Sequence, residues 1–192
     1  MRRFVKGALA GVVLAGALAG CAVQTSPVDT ARFNASPVWL AGDPDIWAIN
    51  QAQWAFADPG RTLNRPAEAA RAVAALDYLA GQINTSPRWA MIGPHSKMEL
   101  LQARVETRAA LGIAPDAPSQ AVVDAMMAAG DALNAGDPHG AMASLHGPGF
   151  TQGPDQILHS LTAMPYLRTA NIATMHAASE LHGDGGSGVR WR

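Results

Sequence analysis

His139, Met142 and His146 stand at i, i+3 and i+7. On one continuous helix they would share a face. Two imidazoles and a thioether form a donor set suited to copper, and Met175 and His176 follow as further candidates. Gly140 and Gly147 weaken a helix at that place, and methionine more often fills an apolar core. A small-ligand or copper-binding protein using these residues of the C-terminal half is therefore the alternative, and a binding or scaffold module the leading reading. Trp39, Trp47, Trp54 and Trp89 fall in the first half of the chain. Exposed, such rings stack on glycans or anchor a protein partner. Buried, they supply the bulk that an alanine-rich core lacks, and this second role is the expectation. The chain carries no Gly-x-Ser-x-Gly elbow, no His-Glu-x-x-His pair and no phosphate-binding glycine loop. Asp43 and Asp45 suit a helix start. The spacing of Asp58, Asp77 and Glu106 brings none of them beside a histidine. The expectation is a protein without catalysis, cofactor or bound metal.

The strongest chemical signal concerns Cys21. Arg2, Arg3 and Lys6 precede an uncharged run from Gly7 to Gly20. As a helix that run would reach about 21 Å, short of the roughly 30 Å hydrocarbon core of a bilayer. It reads as a secretory signal peptide. It ends in Leu18-Ala19-Gly20-Cys21, which resembles a bacterial lipobox. The resemblance covers residues 1–21. It implies cleavage before Cys21, a diacylglyceryl thioether on its sulfur, and in many bacteria an acyl chain such as palmitate on the new amine. Two or three chains anchor firmly where one binds only marginally. Ala22, in place of Asp, resembles the pattern of outer-membrane lipoproteins facing the periplasm, if the organism is Gram-negative. The Arg2-Arg3 pair departs in spacing from a twin-arginine signal, so general secretion is the expected route. Cys21 is the chain's single cysteine, so no intramolecular disulfide forms.

Removing residues 1–20 leaves 11 of the 14 basic residues against 15 acidic ones, a net charge of −4. That charge argues against nucleic acid or anionic lipid as a partner. The membrane contact expected is the lipid on Cys21, with a protein partner in the envelope. Across 192 residues there are 39 alanines, and only 6% of the chain is aromatic. This balance favours helix over sheet.

Four parts are expected: a signal peptide at 1–20, the lipidated cysteine with a flexible tether at 21–42, a helical domain at 43–182, and a glycine-rich tail at 183–192. The domain should be an all-α, small irregular bundle of six or seven helices with αα-hairpins. Asp43-Pro44 starts the first helix, and Asn64 near Pro66 the second. Ser96-Lys97-Met98-Glu99 matches a capping box. Met98, Leu101, Val105 and Ala109 then form the apolar face of that helix, which Gly112 stops. Ser119 caps a helix that ends near Gly136, and Asp137-Pro138 opens another. The segment from Ala132 to Ala141 resembles the turn between tetratricopeptide-repeat helices. No second copy lies 34 residues away, so a plain αα-hairpin is expected.

Overall fold

The structure is a computed structural model, which describes residues 28–34, 42–181 and 183. Cys21, the signal peptide, Trp39 and all of the tail but Gly183 lie outside the described residues. Among the described residues seven α-helices follow one another: α1 Pro44–Ala57, α2 Pro66–Thr85, α3 Pro94–Ala110, α4 Ser119–Asn134, α5 Pro138–Ser144, α6 Pro154–Thr162 and α7 Arg168–Leu181. Five of them carry proline in the first turn at Pro44, Pro66, Pro94, Pro138 and Pro154. Proline fits there because its missing N–H has no intrahelical acceptor to satisfy. Among the described residues there is no strand, only an isolated antiparallel bridge between Ile113 and Phe150. The all-α bundle inferred from the composition is the observed fold.

The centre of the bundle is α2. Its sequence places alanine at 67, 69, 70, 72, 74, 75 and 80, and all seven are buried. A helix buried on nearly every side is a core helix. Alanine gives it high helix propensity and a thin profile, so its neighbours come close and bring the bulk. That bulk is Ile49 and Phe56 from α1, Leu100 from α3, Val122, Val123 and Met126 from α4, and Ile157 and Leu161 from α6. Gly130 on α4 continues the same logic, since a Cβ there would lie 3.2 Å from the Ala67 carbonyl oxygen of α2.

α4 and α5 form the expected hairpin. Gly136 turns it with φ +73°, and the Asp137 N–H donates back to the Ala132 carbonyl at 2.8 Å. The Asp137 carboxylate then accepts from the Gly140 N–H and caps α5. Asp43 caps α1 in the same way. Asn64 is no cap. It adopts the left-handed conformation with φ 56°, one that asparagine tolerates better than most residues, and α2 starts after Arg65.

Two other starts differ from the sequence reading. α3 begins at Pro94, with Gly93 as its cap residue, so Ser96 sits inside the first turn. The Ser96 hydroxyl donates to Glu180 of α7, and the same carboxylate accepts from the Gly93 N–H at 2.6 Å. At α4 the Ser119 side chain caps nothing; the Ser119 N–H donates to the carboxylate of Asp29. Both helix starts are thus held by an anion from a distant part of the chain.

The Asp29 contact also corrects the tether. Residues 28–34 are not a free leash but lie against the bundle. Ala31 is buried, and Phe33 meets Tyr78 at 4.5 Å and Trp47 at 5.2 Å between ring centroids. Arg32 exchanges two hydrogen bonds with the Gln120 side chain, each 2.8 Å. Asn34 donates to Asp124 at 2.9 Å. Gly81 of α2 makes room for this strap, since a Cβ there would come within 2.5 Å of the Asp29 carbonyl oxygen.

Candidate functional site

Helix α5 ends at Ser144. His146 therefore lies beyond it, and the continuous face that would join it to His139 and Met142 is broken. Both histidines are exposed, and Met142 is half-buried. Three tryptophans pack rather than project. Trp89 is buried, while Trp47 and Trp54 sit partly buried against the core. The carboxylates weighed for acid–base work are engaged elsewhere. Asp58 accepts from the Gly60 N–H and caps a short 3₁₀ turn. Glu106 is held below the usual carboxylate range by hydrogen bonds from Gln102 and Thr169.

Two buried polar clusters hold the helices together. Asp45, at 2% exposure, accepts from the Tyr78 hydroxyl, from Trp89 Nε1 at 2.9 Å and from Arg88 Nη1 at 3.2 Å. Arg88 also pairs with Asp43, which lowers the Asp43 pKa, chiefly through that hydrogen bond. Burial, then the bond to Asp45, pushes the Tyr78 phenol well above its ordinary value. Asp77 and Arg108 form the second cluster. Arg108 Nε and Nη2 reach the two Asp77 oxygens at 2.7 and 2.8 Å. Its Nη1 donates to the carbonyls of Pro115 and Ala117 at 3.1 and 2.8 Å, and Nη2 to Ser119 Oγ at 3.0 Å. One guanidinium thus ties α2, α3 and the start of α4.

Among the described residues, Glu99 is a carboxylate that meets two histidines. α3 and α7 run antiparallel: Ser96 meets Glu180, Glu99 meets His176, and Glu106 meets Thr169. Glu99 sits one turn after His95 on α3, the i,i+4 spacing that places two side chains on one face. His95 Nε2 is 3.1 Å from Glu99 Oε1, and His176 Nδ1 is 2.7 Å from Oε2. One ligand atom from each of the three residues lies within 4.8 Å of the other two. The Glu99 side chain is largely covered at 19% exposure, whereas His95 stands open at 82%. Glu180, one turn beyond His176, is held below the ordinary glutamate range, chiefly by the Ser96 hydroxyl, with the Gly93 N–H and the two imidazoles adding to it.

Beside this group the surface of α3 is apolar. Met98 is 64% exposed and Val105 55%, and Leu101 is half-buried. The buried face of α3 carries Ser96, Leu100, Ala103, Thr107 and Arg108. Of the apolar face at 98, 101, 105 and 109, Leu101 packs against the core while Met98, Val105 and Ala109 are exposed. Met98, Leu101 and Val105 line, with His95, Glu99 and Gln102, a shallow groove of about 330 Å³. A wider, open cleft of about 670 Å³ lies between α1, the start of α2 and the end of α4, walled by Trp54, Arg65 and Leu133. Comparison with protein-family models, with curated proteins and with solved structures gives no match.

Proposed function

We propose that this protein is a lipid-anchored component of the bacterial envelope whose helical domain binds a partner protein and performs no chemistry of its own. The observation that carries the reading is the outward apolar row on α3. A methionine and a valine more than half exposed, beside a half-buried leucine, are costly to hydrate when they lie on one stripe. The i, i+3, i+7 spacing of Met98, Leu101 and Val105 is the ridge that a second helix packs against. The occupant is accordingly a helix of the partner, with apolar side chains along its own facing seam.

The docked strap sets the reach of the anchor. A lipid on Cys21 is seven residues from Val28, where the described chain lies against the bundle. Seven extended residues span at most about 24 Å. The lipid would thus hold α3 and its partner close to the bilayer, and not on a long leash.

A photo-reactive residue placed at Met98 or Val105 in intact cells tests the binding surface. Both positions should yield the same cross-linked protein, and Val105→Asp should abolish the adduct at position 98. Leu63, also exposed at 53% but on the loop between α1 and α2, is the control. Equal labelling from position 63, or none from α3, contradicts the reading.

A further inference from the structure

We propose that His95, Glu99 and His176 form a binding site for one divalent transition-metal ion of the Zn²⁺ class. The three donors come from two helices already locked together, so the site is assembled before any ion arrives. Helix geometry sets His95 against Glu99. The packing of α7 on α3 brings His176 to the other oxygen of the same carboxylate. Glu180 keeps that register, because it ties the end of α7 to Gly93 and Ser96 in the first turn of α3.

The distances suit such an ion. Zn²⁺ binds imidazole nitrogen and carboxylate oxygen at about 2.0–2.2 Å in tetrahedral geometry, so neighbouring ligand atoms lie roughly 3.4 Å apart. Here Glu99 stands 3.1 and 2.7 Å from the two nitrogens, and the ring centroids of His95 and His176 are 6.3 Å apart. A small opening of the carboxylate from the rings admits the ion. His95, at 82% exposure, has room to turn with it. Coordination uses the lone pairs of His95 Nε2 and His176 Nδ1. Each ring then carries its proton on the other nitrogen, and an imidazolium releases one proton to solvent on binding. Two imidazoles and one carboxylate leave a fourth position for water or for a ligand carried by another molecule.

The three donors also satisfy one another as plain hydrogen-bonded pairs, so the test must separate a site from a surface network. The full chain, purified without an added histidine tag, is titrated with Co²⁺ and followed by its visible ligand-field band. Binding should saturate at one equivalent, and Zn²⁺ should displace the Co²⁺. His95→Ala and His176→Ala should each weaken binding at least tenfold. The pair His139→Ala and His146→Ala should leave it unchanged. Circular dichroism checks that each variant keeps its helicity, which exposed His95 is placed to allow. No saturable band, binding unaffected by His95→Ala, or binding lost with His139 and His146 would overturn the proposal. The metal site and the docking row are separable, since Val105→Asp touches one and His95→Ala the other.

Discussion

Replacing Arg108 by Met should lower the unfolding free energy by about 3–5 kcal/mol, the loss seen when one partner of a buried ion pair is removed. Both members are nearly inaccessible, Arg108 at 5% and Asp77 at 2% exposure. The substitution leaves the Asp77 carboxylate charged or forces it to take up a proton inside the core. It also strips partners from the Pro115 and Ala117 carbonyls and from Ser119 Oγ. Urea denaturation followed by far-ultraviolet circular dichroism measures the change. The double variant Asp77→Leu, Arg108→Met should recover a large part of it, because it removes the orphaned charge as well. A single variant within 1 kcal/mol of the parent would contradict the role assigned to this pair.

The second large effect is at Asp45. Asp45→Ala leaves Trp89 Nε1–H and the Tyr78 hydroxyl without their acceptor, at about 1–3 kcal/mol for each buried group. A loss of about 2–6 kcal/mol is expected from the two groups together, read in the same way. The same cluster predicts a pH dependence. The Tyr78 phenol has its pKa raised on folding, first by burial and then by Asp45. Its contribution is complete below the unfolded value near pH 10 and is lost as pH rises above it, because only the unfolded chain ionises there. The denaturation midpoint should fall on the alkaline side of about pH 10, and Tyr78→Phe should flatten that fall.

What the sequence made legible was local. Composition gave the helical class, because alanine has high helix propensity and little else in this chain favours strands. The Asp-Pro pairs at 43–44 and 137–138 marked helix starts through contacts made within four residues. The faces of α3 were not legible. The row at 98, 101, 105 and 109 is the more apolar one, yet the row that is buried contains Ser96, Thr107 and Arg108. That orientation is decided by Asp77, 31 positions away, whose carboxylate draws the guanidinium inward. The caps failed for the same reason. Ser96 and Ser119 stand where a local cap would stand, but the anions at these starts are Glu180 and Asp29, 84 and 90 residues distant. Pro94 was a usable signal, since proline in the first turn marks four other starts in this chain. Residues 28–34 read as a tether because polar side chains outnumber Ala31 and Phe33, and the partners that hold Asp29, Arg32 and Asn34 lie about 90 residues away. The group at His95, Glu99 and His176 was half visible as an i,i+4 pair. Its third member arrives only through the packing of α7 on α3.

The mass of the N-terminal peptide from protein extracted out of the membrane fraction tests the central claim most directly. The lipobox-like sequence at 18–21 predicts a chain that starts at Cys21 and carries a diacylglyceryl group on the sulfur, with or without an acyl chain on the amine. Cys21→Ser should move the protein out of that fraction. A peptide that retains residues 1–20, or a Cys21 with a free thiol in membrane-bound protein, would contradict a lipid-anchored partner-binding protein.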